Sequence, residues 1–281
     1  MKLVDSIPRM TTLVKMIRKE GRSIGFVPTM GYLHEGHMSL VKAAKKHTDV
    51  VVMSIFVNPL QFGPSEDFEK YPRDIKRDEA FAGDAGVDVI FYPSAQEMYP
   101  GGYATYVNVE GLTNTLCGVS RPGHFKGVAT VVAKLFNIVK PDVAYFGQKD
   151  AQQVTIIKKM ARDLNMDIEI KVMPIIRESD GLAMSSRNAG LSESERRDAL
   201  VLNQSLEKAS SLVKTGERDS GKIVKAMKEL IAGKPLVKID YISIVGVKDL
   251  ENLPIISGEA LVAIAAFVGK TRLIDNITVK V

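Results

Sequence analysis

Apolar residues in the first two thirds of the chain switch repeatedly between two rhythms. Ser23–Val27 is a short, mostly apolar run stopped by Pro28, and Asp49–Val57 is a β-branched run. Between them, over Gly36–His47, Met38, Val41 and Ala44 recur at helical spacing. Short apolar or β-branched runs suit strands, and a recurrence every three to four residues suits a helix with one buried face. The opening therefore predicts a strand–helix–strand unit. The alternation continues with a strand over Val87–Tyr92, a helix over Lys126–Val139, a strand over Val143–Phe146, a helix over Asp150–Leu164 and a strand over Ile168–Val172. Strands joined through helices run parallel and are covered on both faces. The expectation for residues 1–176 is an α/β domain with a doubly wound parallel sheet, whose ligands sit at the carboxyl ends of the strands.

After Ile176 the rhythm changes. Ser192 opens a long helical stretch, with Glu195 at the spacing of a capping box. A second helix is expected near Asp219–Ala232, followed by strands over Lys238–Val245, Glu259–Val268 and Arg272–Val279. Helices followed by consecutive strands predict a smaller α+β unit with an antiparallel sheet, residues 188–281. Residues 177–187 then form the hinge between the two.

Composition narrows the class. The chain has 281 residues, 45% hydrophobic and 25% charged, which is ordinary globular usage and long enough to bury a core without staples. A net charge of +5 raises nucleic-acid binding. The Lys and Arg residues are scattered among Asp and Glu, with no basic run interleaved with aromatics, so the balance suits small anionic ligands better. Cys117 stands alone and cannot form an internal disulfide; it reads as a small core residue in a reducing compartment. Lys2, Asp5 and Arg9 interrupt the start, and the longest apolar stretch, Ala260–Val268, is far short of the ~20 residues of a membrane helix. The expected protein is soluble and cytoplasmic, with neither a nucleic-acid nor a membrane partner.

Candidate chemistry lies where strands end. Directly after the first strand, Pro28–His37 places His34 and His37 three residues apart at a helix start, with Gly31 and Gly36 beside them. Both imidazoles then share one helix face, next to free backbone N–H groups and the positive end of the helix dipole, a setting that suits phosphates. The same histidines could instead cap or pack the helix start. A zinc protease fits poorly, because its helical histidines are four apart. After the second strand, Asn58 and Gln61 in FVNPLQF offer neutral amides that could read hydroxyls, or else form an Asn-Pro turn with a surface Gln. In FGQKDAQQ, Lys149 can reach a phosphate, Asp150 could cap the next helix, and Gln153 lies one turn on. In AMSSRN, Ser185, Ser186 and Arg187 can hold phosphate oxygens, with Gly181 permitting loop motion; an ordinary polar linker is the alternative. Arg121 and His124 in RPGHFKGV could touch an anionic substrate or form a solvated turn.

These motifs carry a resemblance. HEGH after a strand with MSSRN later resembles the paired signatures of class I aminoacyl-tRNA synthetases and related nucleotidyltransferases. The ordered set PTMGYLHEGH, FVNPLQF, RPGHFKGVATVV, YFGQKDAQQ and MSSRN resembles the pantothenate synthetase family far more closely, over nearly the whole chain. The resemblance implies a Rossmann-like domain with a smaller C-terminal lid, commonly in a homodimer. It implies ATP as substrate, with Mg²⁺, bound by Met30, Gly31, Tyr32, Leu33, His34, Glu35, Gly36 and His37, by Gly147, Gln148, Lys149 and Asp150, by Ile176, and by Met184, Ser185, Ser186 and Arg187. Pantoate would meet Gln61 and Gln153, with Asn58 and His124 nearby, and β-alanine would approach Gln61. His37 is the family's proton donor, with His34, Lys149 and Arg187 stabilising charge. The implied reaction forms pantoyl-adenylate and pyrophosphate, then pantothenate and AMP. No metal ligand is assigned, although Asp78 is a local carboxylate that could assist. An adenylyltransferase that leaves AMP on its product and a non-catalytic nucleotide-binding domain are the competing readings.

Overall fold

The fold is taken from a computed structural model and is described for residues 1–64, 66 and 68–281. Two elements precede the first expected strand: β1 (Lys2–Val4) and α1 (Ile7–Lys19). Met10, Val14 and Ile17 recur along α1 and are buried, and Arg18 and Lys19 complement the dipole at its last turn. The expected unit follows as β2 (Ile24–Thr29), α2 (Glu35–Lys45) and β3 (Val50–Ile55). A helix absent from the sequence expectation, α3 (Ile75–Asp84), leads to β4 (Val89–Phe91) and the short α4 (Ala95–Met98) and α5 (Cys117–Ser120). Then come α6 (His124–Val139), β5 (Val143–Gly147), α7 (Ala151–Asp163) and β6 (Glu169–Met173).

The sheet order is β1-β4-β3-β2-β5-β6, and every pairing is parallel. From β2 the chain builds outward through β3 and β4, then returns to add β5 on the other side of β2. The strand order therefore reverses between β2 and β5, and loops leaving those two strands diverge to open a crevice. All six residues of β3 are buried, as a central strand covered on both faces requires. One face packs on α1, α6 and α7 through Met10, Phe26, Phe136 and Ile157; the other packs on α2 and α3 through Val27, Met38, Val41 and Ala82.

The C-terminal part contains α8 (Glu193–Ala199), α9 (Val201–Lys214), α10 (Ser220–Ala232), β7 (Val237–Gly246), β8 (Glu259–Val268) and β9 (Thr271–Lys280). The Ser192–Glu195 capping box forms. The single long helix expected after it is two helices, because the hydrogen-bond ladder breaks at Leu200 although its backbone stays right-handed (φ −58°, ψ −24°). The three strands make an antiparallel sheet in the order β7-β8-β9. Leu206, Met227, Val262 and Ile264 belong to the core under α9 and α10. Val245, Leu261 and Ala263 instead join the core of the parallel-sheet domain, so the small sheet packs on both sides.

Candidate active site

The crevice at the strand reversal holds a cavity. A space of about 220 Å³ is lined by Pro28–Met30 at the end of β2, by Phe146, Gly147 and Lys149 at the end of β5, and by His34, Gly36 and His37 at the start of α2. It opens into a cleft of about 810 Å³ that runs between the parallel sheet and the C-terminal strands. Met30, Gln61, Lys149, Asp150, Gln153 and Ser185–Arg187 line both, so the chemistry-bearing motifs meet where the two spaces join.

The β2–α2 loop is shaped by a residue far away in sequence. Gly31 and Tyr32 take left-handed conformations (φ 84° and 50°). Asp78 of α3, 1% exposed, accepts hydrogen bonds from the Tyr32 and Leu33 N–H groups, both at 2.7 Å. A Cβ on Gly31 would lie 2.9 Å from Asp78 Oδ2 and from Ile55 Cγ2. Glycine is thus required both by φ and by space. Burial pushes the Asp78 carboxyl above its ordinary pKa, against the lowering effect of those two N–H groups. Its oxygens are committed to the loop, so in place of the metal assistance considered from sequence the structure gives Asp78 a role in loop geometry.

The two histidines are a pair. Their ring centroids are 4.0 Å apart. The Gly36 N–H donates to His34 Nδ1 (3.2 Å) and the His34 N–H donates to His37 Nδ1 (3.3 Å). Each Nδ1 is therefore an acceptor, and the proton of each neutral ring sits on Nε2. Burial, then Lys149, lowers His34 to a pKa of about 4. Burial, then His34 and Lys149, holds His37 well below the ordinary value. At neutral pH both rings are uncharged Nε2–H donors beside the ammonium of Lys149.

Two further pieces complete the polar lining. The Met184 N–H donates to the Ile176 carbonyl (3.0 Å), which brings the 177–187 segment against the cavity. Ser185 Oγ accepts from the Arg187 N–H (3.3 Å), Ser186 Oγ lies 3.1 Å from the Tyr71 hydroxyl, and the Arg187 guanidinium lies 5.6 Å from the Tyr71 ring centre. Asp150 makes no capping bond to α7 and is exposed next to Lys149. Gly31, Leu33, Glu35 and Gln148 line neither cavity; Leu33 is buried, and Glu35 is exposed and paired with Lys42 at 3.7 Å. Among the described residues no group of three or more His, Cys, Asp or Glu is placed to hold a metal ion.

The lining of the small cavity is also apolar in part, with Phe56 and the α6 residues Val128, Val131, Val132 and Leu135 forming a wall and Leu40 contributed by α2. Gln61 and Gln153 stand at its mouth. Gln61 is fixed in place: its Nε2 donates to Met30 Sδ (2.9 Å) and its Oε1 accepts from Asn58 Nδ2 (3.2 Å). Asn58 is 1% exposed and fully engaged, also donating to the Gly127 carbonyl (3.1 Å) and accepting from the Tyr99 hydroxyl (2.8 Å) and the Leu60 N–H (3.3 Å). His124 is engaged as well. Arg121 donates to its Nε2 (3.2 Å), so Nδ1 carries the proton and donates to the Gln61 carbonyl (2.8 Å). Burial, then Arg121, lowers His124 to about 4. Sequence reasoning reached both glutamines but not the valine wall on α6, although RPGHFKGVATVV already displays those valines.

Comparison with known proteins agrees with this geometry. The family model for pantoate-beta-alanine ligase matches residues 2–278. The pantothenate synthetase of Pelotomaculum thermopropionicum is 58% identical over 276 residues, 98% of each chain. That of Caldicellulosiruptor saccharolyticus is 57% identical over the full length of both. The crystal structure of pantothenate synthetase from Thermus thermophilus superposes with a TM-score of 0.94 at 44% identity, covering 99% of both chains. The pantoate-beta-alanine ligase of Francisella tularensis, solved with beta-gamma ATP and beta-alanine, superposes with a TM-score of 0.82 at 35% identity, covering 99% of this chain and 97% of that one. With a matching parallel sheet, a matching C-terminal unit and full-length sequence identity of this order, this chain belongs to the pantoate–β-alanine ligase family and is an enzyme of the ligase class.

Proposed function

We propose that the chain activates pantoate with ATP as pantoyl-adenylate and transfers the pantoyl group to β-alanine, giving pantothenate, AMP and pyrophosphate. One observation carries the reading: two neutral Nε2–H imidazoles, Lys149, Ser185, Ser186 and Arg187 line one cavity together with an apolar wall from α6 and the amides of Gln61 and Gln153. Pantoate combines two hydroxyls and a carboxylate with a dimethyl-substituted carbon. The valine wall suits the methyl groups, and Gln61 and Gln153 suit the polar ones. Asn58 and His124 then serve pantoate through Gln61, which they hold.

The carboxylate of pantoate attacks the α-phosphorus, the bond from the α-phosphorus to the α,β-bridging oxygen breaks, and pyrophosphate leaves with the electron pair. Negative charge on the phosphates grows in that transition state, so preorganised donors are most valuable there. His34 and His37 supply neutral N–H donors, and Lys149 and Arg187 supply positive charge. A neutral His37 can donate a hydrogen bond but is not a ready general acid at neutral pH. Mg²⁺ bound with the nucleotide would neutralise phosphate charge; the donors facing the cavity are largely neutral or cationic, so phosphate oxygens and water would hold it. In the second step the free amine of β-alanine adds to the acyl carbon through the larger cleft; the tetrahedral adduct loses a proton from nitrogen to solvent and collapses to the amide, expelling AMP with the electron pair of the C–O bond. Closure of residues 188–281 over the cleft, hinged at 177–187, would shield the adenylate from water. The same reading takes the enzyme to be a cytoplasmic homodimer.

The test is the partial reaction. Enzyme with ATP, Mg²⁺ and pantoate, but no β-alanine, should release close to one equivalent of pyrophosphate per site and then slow sharply. Added β-alanine should restart turnover with AMP as the nucleotide product. Production of ADP and phosphate would refute the adenylate route.

A further inference from the structure

The last strand reaches into the phosphate site from the other domain. Asp275 and Asn276 are adjacent in β9 and are 3% and 4% exposed. Neighbouring residues of a strand point to opposite faces, so both faces of β9 are covered here by something polar. Asn276 Nδ2 donates to the carbonyls of Gln148 (3.1 Å) and Lys149 (2.9 Å), and its Oδ1 accepts from Gln148 Nε2 (3.1 Å). Asp275 accepts from both terminal nitrogens of Arg177, at 2.7 and 3.0 Å, and also from the Asn276 N–H at 2.8 Å. Arg177 in turn donates to the Gly181 carbonyl (3.1 Å), at the start of the segment that carries Ser185–Arg187.

We propose that Asn276, oriented by Asp275, is a positioning residue that sets the backbone of Lys149 against the 177–187 segment. The inference rests on the reading of Lys149 as a phosphate ligand. The Gln148–Asp150 turn is a single turn of 3₁₀ helix, a conformation with poor internal hydrogen bonding, and it carries a long flexible lysine. Two bonds from Asn276 to the Gln148 and Lys149 carbonyls, braced by a third to the Gln148 side chain, remove the backbone's share of that freedom. Through Asp275 the same strand grips the hinge, so the placement of the C-terminal sheet is transmitted directly to the two halves of the phosphate site.

Steady-state kinetics of Asn276→Ala, Asn276→Asp, Lys149→Ala, the double variant Asn276→Ala/Lys149→Ala and Val279→Ala test this, with Tm measured for each. Misplacing a reacting partner by a fraction of its reach lowers kcat by up to about 10²-fold. Folded Asn276→Ala should therefore lose about 10- to 10²-fold in kcat, with KM for pantoate and β-alanine nearly unchanged. Asn276→Asp keeps the shape and the bond from Gln148 but loses both donations, and decides the matter should the alanine variant fold poorly. Val279, buried in the C-terminal core away from Lys149, controls for destabilisation alone: its variant should lower Tm and keep kcat per folded molecule. The double variant should be no worse than Lys149→Ala, because both changes disable one device. Wild-type kcat in folded Asn276→Ala or Asn276→Asp, or additive losses in the double variant, would overturn the proposal. Full turnover in Lys149→Ala would instead sink the phosphate assignment itself, a result distinct from a silent Asn276 beside a crippled Lys149.

Discussion

Acidification is the perturbation that tests the histidine pair most directly. His34 and His124 are lowered from 6.5 to about 4, and His37 is also held well below its ordinary value. At pH 6 a group with a pKa of about 4 is only about 1% protonated, whereas an ordinary histidine at 6.5 is about three quarters protonated. The ring resonances of these three histidines in the free enzyme, assigned by single substitutions and followed by NMR, should therefore stay nearly constant from pH 8 to about 5.5. Lys149→Met should leave His34 below 6.5, because burial is the larger cause and Lys149 the second. Stability carries the same signature with a defined sign. Between about 6.5 and 4 the unfolded chain binds a proton at His34 and at His124 and the folded chain does not, so stability falls as pH drops through that window, and the lowered His37 acts in the same direction. A full shift of this size is worth about 3 kcal/mol for a buried ring such as His124. Urea denaturation at pH 7.5, 6 and 5 reads it. A mid-point titration of His34 or His37 near 6.5, or stability that is flat across the window, would refute the neutral pair and the donor roles built on it.

Two further substitutions probe the pocket. Gln61→Ala and Gln153→Ala should each raise KM for pantoate while leaving ATP affinity close to wild type; equal loss for both ligands would mean a collapsed site instead. Gly127→Ala should destabilise the protein by about 1–3 kcal/mol, the range for overpacking, because its Cβ would lie 2.2 Å from the Leu60 carbonyl oxygen and 2.7 Å from the Gln61 N, both backbone atoms. An unchanged denaturation midpoint for that variant would contradict the close approach of α6 to the Pro59–Gln61 turn.

What could be read from the sequence follows from what each kind of signal reports. The parallel sheet was legible because β2, β3 and β5 are apolar runs bounded by helices of clear period, and the motifs at their ends inherited reliable positions. α1 is equally periodic, with Met10, Val14 and Ile17 in place, yet the sequence expectation omits it, since the charges at Lys2, Asp5 and Arg9 bear there only on an export signal. α3 gave less, for among its buried residues is Asp78, a carboxylate where a period count looks for an apolar side chain. The chemistry of His34 and His37 divides in the same way. Their spacing and shared face could be derived; their neutrality could not, because it comes from burial and from N–H groups that only the folded loop aims at Nδ1.

Asp275 and Asn276 mark the limit most clearly. Hydrophobic periodicity reports which face of an element is buried and is silent on which polar partner satisfies a buried polar group. Two adjacent polar residues inside a strand can both be hidden only if each finds its own partners on opposite faces. For Asn276 those partners are 128 and 127 residues away, at Gln148 and Lys149, and for Asp275 the partner is 98 residues away, at Arg177. Such a pair within an otherwise ordinary strand is the trace that the C-terminal sheet leaves in the sequence of its engagement with the parallel-sheet domain. The trace becomes readable only when the strand is known to be covered on both sides, which is a property of the assembled layers and not of the strand.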